Sequence, residues 1–203
     1  MADQIRAVIF DFGGVLVRTE NERLRRDWEQ KLNITQGELA NLIFESDISV
    51  KATLGLATES AIWENLAKKL DIDSDKLAEL RSDFWKNDNL DEILVQYVLS
   101  LRDRYTTCIL SNAWTDARRL FIDIFHLDRV FDKMFISAEI GLAKPDQRIY
   151  EYVASALKIR TGEIIFVDDN SENIAGANNA GMHAIQFFET RKLLEELQTL
   201  LGI

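Results

Sequence analysis

Five short apolar segments constrain the fold of this chain more than any other feature of its sequence. Each has three or four residues without polar alternation, at 7–10, 107–110, 134–136, 164–167 and 184–187. Such runs are typical of parallel strands that helices cover on both faces. Apolar residues at helical spacing follow most of them, as at Leu120, Phe121 and Ile124. The alternation predicts an α/β fold with a doubly wound, Rossmann-like parallel sheet.

The stretch between the first two apolar segments is too long for one crossover connection. About ninety residues lie there, whereas a crossover helix needs a dozen or so. Their apolar residues form four helical stripes, and Thr58 and Asp73 are suitable first residues for two of the helices. We therefore predict a four-helix bundle cap at 18–87, inserted into an α/β core formed by 1–17 and 88–203. We expect Trp28, Trp63 and Trp85 to lie in the core of this bundle.

Composition and charge narrow the class of protein further. The 203 residues carry a formal net charge of −10, which makes nucleic acid and anionic membranes poor partners. Cys108 is the only cysteine, so an intrachain disulfide is excluded. The sequence has no apolar stretch of signal-peptide or membrane-spanning length. We expect a cytoplasmic protein, and the sequence leaves open whether it is a monomer or a homodimer.

Polar residues follow the predicted strands at the points where the strands end. Because ligands bind beyond the carboxyl ends of the strands in an open parallel sheet, these residues are the candidates for a functional site. They are Asp11, Ser111, Asn112, Lys144, Asp168, Asp169 and Asn173. The sequence thus brings carboxylates, a hydroxyl, amides and an ammonium group to one edge of the sheet.

Electrostatics indicates what this edge binds. Two carboxylates about 4 Å apart repel by about 4 kcal/mol at an effective dielectric constant of about 20. If Asp11, Asp168 and Asp169 converge, protons or a cation must relieve the repulsion. Oxygen ligands with one or two carboxylates suit Mg²⁺, which commonly shares its coordination with a phosphate. A phosphate would also match the positive charge of Lys144.

Four motifs in this order resemble the haloacid dehalogenase superfamily, specifically its phosphatase-like members with a helical cap inserted after the first strand (subfamily I type). The motifs are FDFGGVL at 10–16, ILSNA at 109–113, GLAKPDQRIY at 141–150 and FVDDNSENIAGANNAGMHAI at 166–185. The resemblance implies that Asp11 is a nucleophile that forms an aspartyl-phosphate. It also implies that Ser111 and Asn112 orient the phosphoryl oxygens, and that Lys144 stabilises charge at the nucleophile and the transferring group.

The same resemblance implies a Mg²⁺ cofactor and its ligands. The Asp11 carboxylate, the Gly13 backbone carbonyl and Asp169 would hold the ion, and Asp168 would assist directly or through water. Asn173 would hold the acidic loop in place from behind. The implied substrate is a small phosphorylated metabolite.

Gly13 departs from the pattern of the phosphatases in this superfamily. They usually carry a second Asp two residues after the nucleophile, which protonates the leaving oxygen and then activates water. Glycine offers a metal its backbone carbonyl but transfers no proton, and loss of general acid–base help typically costs about 10²–10⁴-fold in rate. A metal-bound water, the substrate or a cap residue would have to replace it.

Three hypotheses follow from these residues. The leading one is a Mg²⁺-dependent phosphomonoesterase acting through an aspartyl-phosphate on a small metabolite such as a sugar phosphate. The second is a 2-haloacid dehalogenase, in which Asp11 attacks carbon without a metal; the acidic pair Asp168 and Asp169 counts against it. The third is a catalytically weak or silent phosphate-binding or regulatory protein, because Gly13 replaces the acid–base residue.

Several other residues have less specific interpretations. His126 and His183 are isolated in the sequence, so structural roles are expected for both. Trp114, just past Asn112, is placed either to line a substrate pocket or to pack in a core. Arg18, Arg25 and Arg26 would share a helix face if the first inserted helix began near Arg18, where they would either meet an anionic substrate or form a solvated charged surface.

Overall fold

The computed structural model describes residues 4–203, so residues 1–3 of the predicted core segment lie outside the described residues. The strands in this range are β1 (Ala7–Phe10), β2 (Val17–Thr19), β3 (Asp88–Leu90), β4 (Thr106–Ser111), β5 (Lys133–Ile136), β6 (Ile164–Asp168) and β7 (His183–Gln186). Five of them form a parallel sheet in the order β5-β4-β1-β6-β7. The predicted fold class is confirmed, and each apolar segment is a strand whose ends differ by at most one residue.

Helices surround this sheet and fill the long insertion. They are α1 (Arg23–Leu32), α2 (Glu38–Phe44), α3 (Asp47–Thr53), α4 (Glu59–Leu70), α5 (Ser74–Trp85), α6 (Glu92–Leu101), α7 (Ala117–Asp123), α8 (Ser137–Ile140), α9 (Gln147–Leu157), α10 (Ser171–Asn179) and α11 (Thr190–Leu201), with short 3₁₀ helices at Leu127–Arg129 and Thr161–Glu163. The side chains of Thr58, Asp73 and Asn170 accept hydrogen bonds from backbone N–H groups in the first turns of α4, α5 and α10. None of the helices within residues 4–203 combines the length and the apolar character that a membrane span requires.

Two apolar clusters, one on each face of the sheet, form the core. Successive side chains of a strand point to opposite faces. Accordingly Val8 and Phe10 pack in a cluster with residues of α6 and α11, whereas Ala7 and Ile9 pack in another with residues of α9. All four side chains are fully buried. Burial on both faces explains why the strand sequences show no polar alternation.

The inserted segment contains five helices, so the prediction of four is wrong. The additional helix is α3. Ser46 directly precedes it, and the Ser46 side chain accepts a hydrogen bond from the Ser49 backbone N–H. Its seven residues bury only Ser49 and Ala52, so the sequence shows no apolar stripe for it. Within the segment Trp28 and Trp63 are buried as predicted, but Trp85 is 36% exposed, which contradicts that expectation.

A two-stranded antiparallel ribbon connects the inserted segment to the sheet. Strands β2 and β3 pair over three residues each, with Val17 opposite Leu90. At this length, and with mixed polarity, neither strand produces a recognisable sequence pattern. An ion pair between Arg18 and Asp91, 2.6 Å apart, lies beside the ribbon. The two strands of the ribbon lie at the two predicted boundaries, 17/18 and 87/88. The division of the chain into a core and a cap stays a prediction.

Candidate active site

The carboxyl edge of the sheet brings the predicted acidic residues together. Asp11 directly follows β1, Asp168 is the last residue of β6, and Asp169 comes next along the chain. One oxygen from each of the three carboxylates lies within 4.8 Å of the others. The central, neighbouring positions of β1 and β6 in the sheet account for this convergence.

Lys144 lies between two of these carboxylates. Its side chain is fully buried, with Nζ 2.9 Å from Asp11 Oδ1 and 2.6 Å from Asp168 Oδ2. Burial alone would lower the pKa of Lys144, but the charges of Asp11 and Asp168 outweigh it and hold the pKa above its ordinary value. Lys144 is therefore a cation shared by two anions, and the cluster of three carboxylates has more negative charge than this one lysine can balance.

The two oxygens of Asp11 have different surroundings. Oδ1 accepts hydrogen bonds from the Phe12 backbone N–H at 2.7 Å and from Lys144. Oδ2 has no hydrogen-bond partner among residues 4–203. Burial raises the pKa of Asp11 to about 7; the charge of Lys144 opposes this shift and that of Asp168 adds to it. One oxygen is thus fixed by the protein, while the other is open to a ligand.

Asp168 is completely buried, and both of its oxygens are occupied. Oδ1 accepts from the Asn170 backbone N–H at 2.9 Å and from Asn173 Nδ2 at 3.0 Å. Asp168 Oδ2 accepts one hydrogen bond from Lys144 Nζ and a second, at 3.2 Å, from the same Asn173 Nδ2. Asp168 therefore fixes Lys144, and Asn173 fixes Asp168. In contrast, part of the Asp169 residue is exposed to solvent. Its carboxylate is partly desolvated among neighbouring atoms, and this desolvation, followed by the charge of Asp168, raises its pKa.

The side-chain amide of Asn112 holds the loop that carries Lys144. Asn112 Nδ2 donates to the Lys144 carbonyl oxygen, and the Lys144 backbone N–H donates to Asn112 Oδ1, both at 2.8 Å. This positioning role was not predicted from the sequence, because the two residues are far apart along the chain. The neighbouring Ser111 is buried, and its hydroxyl makes no hydrogen bond to another residue in the described range.

Ser137 lies at the same edge of the sheet and is not among the site residues predicted from the sequence. It directly follows β5, and its Oγ accepts from the Ala113 N–H at 3.0 Å and donates to the Ala113 carbonyl at 3.2 Å. These bonds tie the end of β5 to the loop after β4. The rule applied to the other strand ends would have found Ser137.

The two glycines after Asp11 play different structural roles. Gly14 has a φ of +78°, and a Cβ there would lie 2.1 Å from Asp169 Oδ2. Only glycine fits this position without moving Asp169. Gly13 is exposed and has no positive φ, and a Cβ there would meet no atom within 4 Å. The Gly13 carbonyl accepts no hydrogen bond from residues 4–203.

The histidines and the cysteine lie outside the acidic cluster. His126 Nδ1 is 3.1 Å from the Ile122 carbonyl oxygen, and His183 Nε2 is 3.1 Å from that of Gly162. Cys108 is buried within β4, and burial raises the pKa of its thiol to about 12. Such a thiol is a poor nucleophile.

Comparison with known proteins gives a family match over most of the chain. The family model described as haloacid dehalogenase-like hydrolase matches residues 5–181. Bifunctional epoxide hydrolase 2 of Sus scrofa is 27% identical over 219 residues, covering 98% of this chain and 39% of that protein. The chain spans only 24% and 21% of the corresponding proteins of Rattus norvegicus and Mus musculus.

Other relatives are enzymes with different activities. (S)-2-haloacid dehalogenase 1 of Pseudomonas sp. (strain CBS-3) is 26% identical over 200 residues, covering 94% of this chain and 87% of that protein. A sesquiterpene phosphatase of Aspergillus oryzae is 37% identical over 73 residues, covering 36% of this chain and 37% of that protein. Both dehalogenation and phosphoester hydrolysis therefore occur among the relatives.

Solved structures confirm the fold. A HAD family enzyme from Bacteroides thetaiotaomicron has a TM-score of 0.79 at 21% identity, covering 95% of this chain and 99% of that one. The same enzyme in complex with magnesium and inorganic phosphate has a TM-score of 0.77. L-2-haloacid dehalogenase from Xanthobacter autotrophicus has a TM-score of 0.66 at 22% identity, covering 97% of this chain and 83% of that one. At these identities the similarity establishes the architecture alone.

Proposed function

Because the chain belongs to the haloacid dehalogenase-like hydrolases, we propose that it is a Mg²⁺-dependent phosphomonoesterase acting on a small phosphorylated metabolite. The observation that carries the proposal is the cluster of Asp11, Asp168 and Asp169, in which one buried lysine is the only cation bonded to the carboxylates among residues 4–203. A divalent ion and a phosphate together would complete the charge balance of such a site.

The residues present fit Mg²⁺. The Asp11 carboxylate, the Asp169 carboxylate and the Gly13 carbonyl supply oxygen donors, which Mg²⁺ prefers, and the Gly13 carbonyl accepts no hydrogen bond from residues 4–203. Asp168 would act indirectly, through Lys144 and water, because its oxygens are already occupied. When bound, the ion would neutralise charge on the phosphoryl oxygens.

The residues of the chain would then divide the reaction between them. Asp11 Oδ2 attacks phosphorus, and the bond to the ester oxygen breaks in line with it. Lys144 and the Ser111 hydroxyl stabilise the phosphoryl oxygens. Water then attacks phosphorus, the bond from phosphorus to the Asp11 oxygen breaks with its electron pair returning to the carboxylate, and inorganic phosphate leaves after the attacking water loses a proton to solvent. No side chain at Gly13 supplies a proton, so protonation of the leaving oxygen falls to water or to the substrate.

The similarity to (S)-2-haloacid dehalogenase 1 of Pseudomonas favours a second candidate, a 2-haloacid dehalogenase. In that reaction Asp11 would attack carbon, and halide would leave without a metal. The acidic pair at the end of β6 is an unfavourable neighbour for a metal-free site that receives a carboxylate substrate. Halide release from 2-chloropropionate in EDTA would support this candidate over the first.

A substrate panel tests the proposed function. Phosphate release is measured from alkyl, aryl and sugar phosphates, with Mg²⁺ and with EDTA, for the wild type and for Asp11→Asn. We expect Mg²⁺-dependent release by the wild type only. Binding of Mg²⁺ and phosphate esters without release above the Asp11→Asn level would instead indicate a catalytically silent phosphate-binding protein. The cytoplasmic location and the lack of nucleic-acid and membrane partners stay predictions from the sequence.

A further inference from the structure

Three aromatic residues form a partly exposed surface where the inserted segment meets the sheet. We call Phe44, Trp85 and Trp114 the aromatic shelf. Phe44 ends α2 and Trp85 ends α5, whereas Trp114 belongs to the loop after β4. The Phe44 ring stacks on Trp114 with centroids 5.9 Å apart and meets Trp85 edge-on at 5.8 Å. Phe44 is 44% exposed and Trp85 36% exposed, so large apolar faces are open to solvent.

The shelf lies close to the proposed phosphoryl site. Trp114 is three residues beyond Ser111, and three residues of extended chain span at most about 11 Å. Asn112, between them, is hydrogen-bonded to the Lys144 backbone, which fixes this loop against the site. The inserted segment also approaches the same edge at α8, where a Cβ at Gly55 would lie 2.2 Å from the Ala138 carbonyl oxygen.

The geometry of the reaction directs the leaving group toward this surface. Asp11 lies at the end of β1, on the floor of the site, so in-line attack expels the ester oxygen away from the sheet. The loop after β4, which carries Trp114, lies at this edge of the sheet, and the inserted segment packs there against α8. The ester's alcohol portion would therefore meet aromatic rings within the length of a small molecule.

The nearby arginines do not provide a site for a second anionic group. Arg18 is 2.6 Å from Asp91, and Arg25 is 2.9 Å from Asp88. The Arg25 guanidinium also covers the Phe84 ring at 4.1 Å, and Phe84 in turn contacts Phe44 and Trp85. Arg25 therefore supports the shelf through Phe84, and the charges of both arginines are already matched by carboxylates.

We infer that the aromatic shelf binds the alcohol portion of the substrate, so that the substrate class is monophosphate esters of apolar or aromatic alcohols. This inference rests on the proposed function and narrows it, since a polar sugar would gain little from the exposed rings of Phe44 and Trp85 and the partly buried ring of Trp114. Burying one CH₂ group strengthens binding by about fourfold when its whole surface leaves water. Affinity should therefore rise with the length of an alkyl chain until the shelf is covered.

Non-hydrolysable phosphonates separate the shelf from the chemistry. Methyl-, butyl- and octylphosphonate are titrated in the presence of Mg²⁺, and binding is followed by calorimetry and by the fluorescence of the tryptophans. For the wild type we expect the affinity for octylphosphonate to exceed that for methylphosphonate by at least about tenfold. Full burial of each CH₂ group would give about fourfold per group, so partial burial of the chain is enough for this ratio. We expect Phe44→Ala to reduce this ratio to near one, and Phe44→Leu to retain part of it.

Tyr152→Ala is the matched control, because Tyr152 is an aromatic residue of similar exposure, 46%, on α9 and outside the shelf. It should leave the chain-length dependence unchanged. Equal affinity for methyl- and octylphosphonate in the wild type, or equal effects of the two alanine variants, would overturn the inference. Because binding is measured without turnover, absence of phosphate release from every ester would contradict the proposed function separately.

Discussion

Replacing Gly14 by alanine tests whether the backbone at the end of β1 is shaped to admit Asp169. The new methyl group would lie 2.1 Å from Asp169 Oδ2, and the backbone φ of +78° disfavours any side chain. The left-handed conformation alone costs about 1–2 kcal/mol for a residue with a Cβ. In EDTA, we therefore expect the free energy of unfolding of Gly14→Ala to be lower than that of the wild type by about this amount.

The effect on Mg²⁺ should be larger than the effect on the metal-free protein. A ligand at 100 times its dissociation constant stabilises a protein by about 2.7 kcal/mol. Displacement of Asp169 removes a metal ligand, so Gly14→Ala should lose most of this gain. The assay is urea denaturation followed by circular dichroism, with a titration of Mg²⁺.

The adjacent glycine supplies the control for this experiment. A Cβ at Gly13 meets no atom within 4 Å, and its φ is not positive. Gly13→Ala should keep the Mg²⁺-linked stabilisation and should change the unfolding free energy by less than about 1 kcal/mol. If both variants retained the same Mg²⁺-linked stabilisation, the assignment of Asp169 to the metal site would be refuted.

Three further predictions concern charges and protons at the site. Lys144→Met leaves the carboxylates of Asp11 and Asp168 without their buried cation. In EDTA at pH 8 the free energy of unfolding should therefore fall by about 3–5 kcal/mol relative to the wild type, and at pH 5 it should fall by less. Equal losses at both pH values would contradict this expectation. The raised pKa of Asp11 means that its protonated form stabilises the metal-free fold below pH 4, and that this contribution disappears as the pH rises through about 7. The stability of the wild type relative to Asp11→Asn should therefore fall between pH 4 and 7, and a constant difference in denaturation experiments would refute the shift. Gly13→Asp places a proton donor where a Cβ would meet no other atom within 4 Å. It should raise the ratio of kcat/KM for alkyl phosphates to kcat/KM for nitrophenyl phosphate by up to about 10²-fold. Gly13→Asn, which adds no proton donor of this kind, should leave this ratio unchanged.

The sheet could be predicted from the sequence because both of its faces are covered. Residues such as Val8 and Ile9 are apolar in succession only because helices lie on both sides of β1. The convergence of Asp11 and Asp168 follows from the same parallel arrangement, which places the carboxyl ends of neighbouring strands at one edge. Fold and acidic cluster thus depend on one strong, local pattern.

The features that were not predicted depend on contacts between distant residues. The amide of Asn112 bonds a backbone 32 residues away, and no local pattern signals that partner. The need for Gly14 arises from the position of Asp169, which only the folded sheet brings near. Trp85 has helical spacing typical of a bundle core but ends its helix at the surface, so periodicity alone placed it wrongly.

Chemical trapping of phosphorylated Asp11 shows whether phosphoryl transfer passes through this carboxylate. The protein is mixed with Mg²⁺ and nitrophenyl phosphate, quenched with borohydride, which reduces an acyl phosphate to an alcohol, and digested for mass spectrometry. We expect conversion of Asp11 to homoserine in the peptide that contains residues 10–16, in the presence of Mg²⁺ and not in EDTA. Release of phosphate with Asp11 unmodified, or reduction at another residue, would contradict it.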